Sequence, residues 1–407
     1  MKKWFVFAGM ILLFFNGFIG DVLGGDIFRL GIIGTTTSHV PAFVKILNDP
    51  NVAEPCNGFK VVAAYPGGMP DNAGSWNRFK QYADELEKQG ISLHNTIESM
   101  LPNVDGVLLE SVDGRPHLEQ AKPIINAGKP LFIDKPMAAS LGDVLTIFRL
   151  AQEKKVPVFS ASSLRFASGF QKARKGESLA GNVIGCDVWS PCSLNDKHPD
   201  LFWYGIHGVE ILFTLMGTGC ESVMRIQTDG TELVTGIWKD GRIGTFRGLR
   251  TGKTGYGAVV FGNKGIADAG SYEGYKPLVE EIARFFKTGQ PPVDPQETIE
   301  IIAFMEAAEQ SKTKGVPVSV AQVIREAENR KDIIVQINIL SNKNLTLNKQ
   351  PINIEELAKT LDNFLAGKTN HQVKVILSSE KGTPIEFVQE VCNHLGKATL
   401  ANYVYDY

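Results

Sequence analysis

Short, nearly continuous apolar runs punctuate the first 165 residues: FRLGIIG (28–34), FKVVAAY (59–65), DGVLLE (105–110), PLFID (130–134) and VPVFSA (156–161). Runs of this length predict strands of a parallel sheet covered on both faces. Between them, HVPAFVKIL (39–47) and GDVLTIFRLAQEKK (142–155) repeat apolar residues every three or four positions and predict amphipathic helices. Gly128 stops the helix that precedes PLFID. Strand, turn and helix in this order predict an α/β protein that opens with a Rossmann-type doubly wound parallel sheet. Further on the period drops to two. NVIGCDVWSP (182–191), SVMRIQTDG (222–230), TELVTGIWKDG (231–241), RIGTFRGLR (242–250) and YGAVVFGNKG (256–265) read as strands separated by Asp-Gly and Asn-Lys-Gly turns. Two amphipathic helices follow over 279–327, split at Gly289-Gln290-Pro291-Pro292, and EAENRKD (326–332) reads as a linker. Residues 333–407 alternate strand, hairpin, helix, strand, helix, strand, enough for one small α/β domain.

Composition narrows the partners. The 407-residue chain has room for two or three domains, and a net charge of −2 without long basic runs argues against nucleic acid. The five cysteines show neither CxxC nor metal-ligand spacing, so no metal is expected. They read as buried or free thiols, with one Cys186–Cys192 disulfide left open. At the amino terminus, Met1-Lys2-Lys3 precedes the apolar run 4–20 and then small residues. Residues 1–25 read as a Sec signal peptide or an uncleaved membrane anchor. Lys2 and Lys3 favour a cytoplasmic start, so the rest of the chain is expected to be extracytoplasmic (periplasmic).

Candidate chemistry concentrates at LFIDKPMAAS (131–140), where an apolar strand runs into Asp134, Lys135 and Pro136. A lysine at the carboxyl end of a buried parallel strand borders the ligand crevice; the alternative is a solvated turn lysine. His117, Ala127-Gly128-Lys129 and Asp134-Lys135-Pro136 form an ordered series. This series resembles the Gfo/Idh/MocA oxidoreductases, whose matching segment carries a loop histidine, an AGK helix end and a Glu-Lys-Pro motif. The resemblance continues through Arg165 in VPVFSASSLRF and His207 in GIHGVEILFTLMG, and covers roughly residues 28–325. It implies a nucleotide-binding domain over 26–150. A substrate domain would follow over 151–327, with a mostly antiparallel sheet, helices on one side, and a homodimer through the open sheet face. The implied cofactor is NAD or NADP, and the implied substrate a sugar or sugar-derived hydroxyl. Lys135 and His207 would be catalytic, Lys135 positioning hydroxyl and cofactor and His207 taking the proton.

The cofactor residues depart from the dinucleotide pattern. Gly34 occupies the first glycine of GxGxxG, whereas Thr36 and His39 stand at the second and third, and Tyr65 stands where a carboxylate would hold the ribose. The hydroxyls of Thr35, Thr36 and Ser38 with the free N–H groups of a helix start can hold an anion or merely cap the helix. The cofactor set expected from the resemblance is Gly34, Thr35, Thr36, Ser38, His39, Tyr65, His117, Asp134, Lys135 and Pro136.

On the substrate side, a helix is expected to start near Trp203 to Gly205 and to point His207 at the crevice. Family members with this arrangement carry an aspartate four residues before the histidine; here that position is Trp203. The substrate candidates are Arg165, Ser163, Trp189, His198, Asp200, Trp203 and Tyr204, aromatic faces and polar groups that suit a sugar ring. The alternative for the aromatic residues is an interface or core.

Residues 333–407 resemble the periplasmic domain of the ExbD/TolR biopolymer-transport proteins, through LTLNKQPI before an EEL helix and VILSSEKGTP before a second helix. This implies an envelope protein partner. Three functions stay open: an oxidoreductase acting on a sugar-like ligand, a non-catalytic carbohydrate-binding protein on the same scaffold, and an interaction partner of a TolR-like envelope complex.

Overall fold

The computed structural model describes residues 27–69, 72–330, 333–365, 373–395 and 403–406. The expected signal or anchor, 1–25, lies outside them. Among the described residues no helix is long and apolar enough to cross a membrane.

The chain begins with β1 (Phe28–Ile33), α1 (His39–Leu47), β2 (Phe59–Tyr65), α2 (Ala73–Lys88), β3 (Ser92–Leu93), α3 (Ile97–Met100), β4 (Gly106–Leu109), α4 (His117–Asn126), β5 (Leu131–Asp134), α5 (Leu141–Lys154) and β6 (Val158–Ala161). The strands form one sheet in the order β3-β2-β1-β4-β5-β6, every pair parallel. The order reverses between β1 and β4, so a crevice opens at the carboxyl ends of these two strands. The helix α5 starts where the sequence supplies a cap: Ser140 accepts from the Asp143 N–H at 3.2 Å.

A second sheet follows, with α6 (Ser168–Arg174), β7 (Val183–Pro191), α7 (Ile206–Met216), β8 (Cys220–Gln227), β9 (Thr231–Trp238), β10 (Ile243–Leu249), β11 (Gly257–Gly262), β12 (Ile266–Asp268), α8 (Lys276–Thr288), α9 (Pro295–Lys314), β13 (Val318–Ser319) and α10 (Val320–Asn329). Its order is β12-β11-β7-β10-β9-β8-β13. All neighbours are antiparallel except β7 and β10. Three helices, not two, close this region, because Gly315, in the left-handed conformation, ends α9 and Ser319 caps α10. The expected linker 326–332 therefore begins inside α10.

The two sheets share their cores. One apolar cluster runs from Ile33 of β1 to Val323 of α10. Although α8 is distant in sequence, it packs Leu278, Ile282 and Phe285 with Leu30, Phe43 and Phe132 of the first sheet. All five cysteines are buried and free, so the Cys186–Cys192 disulfide left open above is not formed. Finally, β14 (Ile333–Ile339), β15 (Leu345–Leu347), β16 (Gln350–Ile352), α11 (Ile354–Leu365), β17 (Val373–Ser379), α12 (Ile385–Leu395) and β18 (Tyr403–Asp406) build a small α/β domain of order β16-β15-β14-β17-β18.

Candidate functional site

At the carboxyl end of β1 the chain turns at Gly34 with φ +91°, and a Cβ there would lie 2.5 Å from the Ser111 nitrogen. Only glycine fits both constraints. The three threonines that follow are buried and turn inward. The Thr35 hydroxyl donates to the Phe79 carbonyl at 3.1 Å, and Thr36 Oγ1 accepts from the Val112 N–H at 3.4 Å. Ser38 Oγ remains at the surface, 3.5 Å from the Tyr275 hydroxyl. Tyr65 is buried, with its ring against the Gly67 position.

His39, in the third-glycine position, reaches under this turn. Its Nδ1 lies 2.9 Å from Asp134 Oδ2, and its ring packs on Phe43 and Tyr275. Asp134 sits in a parallel register in which Ile133 pairs with Leu109, which brings Glu110, one residue past β4, alongside it. Both carboxyl groups are fully buried, and neither oxygen of Glu110 has a hydrogen-bond partner. Burial, then the Asp134 charge, pushes the Glu110 carboxyl well above the usual range. Burial would also raise Asp134, but His39 and Lys135 outweigh it and hold it down at about 2. Sequence reasoning passed over Glu110, whose position at a strand end facing the same side as Asp134 was the available signal.

Lys135 follows at 8% exposure. His117, expected near the cofactor, is wholly buried instead, its ring spanning the Met137 carbonyl at 3.1 Å and the Ser111 carbonyl at 2.8 Å. It ties the end of β4 to the loop after Pro136.

From the second sheet, α7 delivers His207. Residues Leu201–Gly205 form a π-helical turn rather than a loop, and α7 itself starts at Ile206. Trp203 packs tilted against His198, ring centroids 4.9 Å apart. The orienting group is Ser162, just past β6, whose Oγ lies 2.8 Å from His207 Nδ1. Burial lowers the His207 pKa well below its ordinary value, and the Lys135 and His39 charges lower it further. The lysine expected to act with this histidine is thus near enough for its charge to bear on the imidazole. Ring contacts then line one wall: Tyr204 and Tyr256 on His207, Tyr272 on Tyr256, and Tyr275 between Tyr272 and His39. Burial and the hydrogen bond with Tyr204 raise the Tyr256 phenol. Tyr256, Tyr272 and Tyr275 lie far from His207 in sequence, and no spacing marked them.

Four expected substrate residues serve elsewhere. Arg165 is buried between Glu210 and Glu297, the latter at 2.7 Å, with Nη2 left without a partner. Trp189 packs over Gly257 on the open face of the second sheet, because α7 covers the opposite face through Ser190 and Phe246. Asp200 pairs with Arg225 at 2.8 Å and Lys312 at 2.7 Å, on the α9 side. His198 donates across to Asp113, 2.9 Å away, joining the loop after β4 to the second sheet. Burial opposes ionisation of Asp113, but Arg115 and His198 hold its carboxyl well below the usual range. Ser163 opens a short 3₁₀ turn beside Ser162 and is buried.

Residues 28–162 match the oxidoreductase family with an NAD-binding Rossmann fold. Residues 299–404, from within α9 onward, match the biopolymer transport protein ExbD/TolR family. Among curated proteins none matches the chain. Among solved structures, a probable dehydrogenase from Thermotoga maritima is 21% identical over 73% of this chain and 100% of its own, with a TM-score of 0.59. Scyllo-inositol dehydrogenase from Lactobacillus casei, solved with NAD(H) and scyllo-inositol, is 14% identical over 73% and 100%, with a TM-score of 0.58. An oxidoreductase from Agrobacterium radiobacter, in complex with NAD+, L-tartaric acid and magnesium, is 13% identical over 72% and 99%, with a TM-score of 0.58. At these identities the likeness is one of fold.

Proposed function

We propose that this chain, whose residues 28–162 match the oxidoreductase family with an NAD-binding Rossmann fold and whose residues 299–404 match the ExbD/TolR family, is a dinucleotide-dependent oxidoreductase acting on a sugar-like hydroxyl. The observation that carries this reading is His207, at the start of α7, held by Ser162 at 2.8 Å and flanked by Tyr204 and Tyr256, near enough to Lys135 for the lysine charge to act on its imidazole. Lys135 would orient the substrate oxygen through its ammonium. His207, neutral near pH 7, would take the hydroxyl proton at Nε2 while Nδ1 stays with Ser162. The tyrosine faces suit the apolar faces of a pyranose or cyclitol ring, and their hydroxyls suit its substituents.

The dinucleotide would be held by the amides of the Gly34 turn, Ser38, Lys135 and Asn72, whose buried Nδ2 has no partner. Burial and the Asp134 charge disfavour a second carboxylate at Glu110 near an anionic ligand, and Lys135 offsets the first. When bound, the nicotinamide supplies the hydride acceptor. NAD is favoured over NADP by the absence of an arginine beside Tyr65.

We infer an extracytoplasmic location, supported by Lys2, Lys3 and the apolar run 4–20 together with the ExbD/TolR match. The small carboxyl-terminal domain would meet an envelope protein. Self-association through the open face of the second sheet is supported by exposed Ile237 and Ile243, which pair across β9 and β10.

A non-catalytic sugar-binding role is the second reading, favoured by His39 in the third-glycine position and paired with Asp134. Calorimetry of the purified protein with NAD and NADP, with Lys135→Ala alongside, decides between them. Micromolar binding that Lys135→Ala weakens supports the redox reading. No binding at millimolar dinucleotide, with sugar binding retained, sinks it.

A further inference from the structure

We propose that the carboxyl-terminal domain docks on its own chain, on the loop after β2, and that this docking opposes dinucleotide entry. The inference rests on the dinucleotide reading above. Residues 66–69 leave β2 and fold back over the Gly34 turn, where the Gly67 carbonyl accepts from the Thr35 N–H at 3.4 Å. That amide belongs to the turn whose N–H groups would face a pyrophosphate. The loop ends in Met69, which is only 1% exposed and belongs to the same apolar cluster as Val335 and Ile337 of β14 and Leu357 and Leu361 of α11. A methionine in the β2–α2 connection has its burial completed by the third sheet, and its unbranched side chain suits such a gap.

The loop is thus pinned at both ends, to Thr35 by Gly67 and to the third sheet by Met69. Asn72 follows, its N–H donating to the Met69 carbonyl at 3.1 Å and its side-chain Nδ2 buried without a partner. The closed arrangement leaves that donor unmet, and a ribose hydroxyl would satisfy it. A dinucleotide that claims the Thr35 amide must displace Gly67, and with it Met69. Linkage then runs both ways: whatever factor docking costs in cofactor affinity, cofactor binding must cost in docking. A protein partner that draws the small domain away would therefore open the crevice.

The test uses the full chain with Met69→Glu, Met69→Ala and the conservative Met69→Leu. Cofactor affinity is read by NADH fluorescence, and docking by hydrogen exchange over residues 333–365. Met69→Glu is expected to raise exchange in β14 and α11 and to tighten NADH binding about tenfold. Met69→Ala should do the same in smaller measure, and Met69→Leu should behave as wild type. NADH added to wild type should raise the same exchange. Unchanged exchange in Met69→Glu would overturn the docking. Raised exchange with unchanged or weaker NADH binding would overturn the opposition while leaving the redox reading intact. NADH bound by no variant would remove the redox reading and this inference together.

Discussion

His39 Nδ1 lies 2.9 Å from Asp134 Oδ2, so a side chain in a position that usually holds glycine reaches the carboxylate of the residue before Lys135. The pair joins the start of α1 to the end of β5 inside the crevice. Removing one partner strands the other in a buried site. His39→Ala is expected to destabilise the fold by about 1–3 kcal/mol, the cost of leaving a buried carboxylate without its polar neighbour. Asp134→Asn should cost less than that in the His39→Ala background. A double-mutant cycle from urea unfolding checks this, with a coupling of roughly 1–3 kcal/mol expected; additive costs would show that the two residues stand independently.

Glu110 gives a pH signature of opposite sign to an ordinary carboxylate. Its folded-state pKa is raised, so the protonated acid favours the fold; the contribution is complete below about pH 4.5 and is lost as pH rises toward the folded value. Glu110→Gln keeps the shape without the proton. The stability of Glu110→Gln relative to wild type should therefore climb with pH above 4.5, by up to about 1.4 kcal/mol per unit, until the folded pKa is passed. Unfolding midpoints at pH 5, 6, 7 and 8 read the trend. A flat difference would mean that Glu110 is ionised in the fold.

The sheet strands were legible because burial on both faces writes itself as continuous apolar runs, Lys135 was legible because it follows such a strand, and His207 because its segment carries the family resemblance. Their partners were not. Ser162 meets His207 from a strand end 45 positions away, while the position four residues before the histidine holds Trp203 in place of a carboxylate. Tyr256 comes from just before β11, and Tyr272 and Tyr275 from the connection to α8, where nothing in the sequence marks a crevice wall. Trp189 was misplaced by strand phase: with α7 on the other face, a tryptophan one residue before inward-facing Ser190 must point outward. Asp200 and Arg165 looked like ligand groups because charged residues beside aromatics suit sugars. Their carboxylate and arginine partners lie on other elements and emerge only once the chain is folded.

The Ser162–His207 contact predicts a positioning role that kinetics can separate from a structural one. For His207 Nε2 to accept a proton, Nδ1 must carry its own hydrogen and donate to Ser162 Oγ, 2.8 Å away. Ser162→Ala removes that acceptor, so turnover should fall roughly tenfold, the value of about one hydrogen bond, with KM little changed. The imidazolium also loses a partner, so the His207 pKa, already lowered by burial and by Lys135, should fall further. Because the neutral ring is the active form, the acid limb of the rate profile should lie below pH 6.5 in wild type and move lower still in Ser162→Ala. Ser162→Thr, which keeps the hydroxyl, should restore both turnover and the position of the limb. A fall in turnover with the limb unmoved, or a loss shared equally by Ser162→Thr, would assign Ser162 to packing alone.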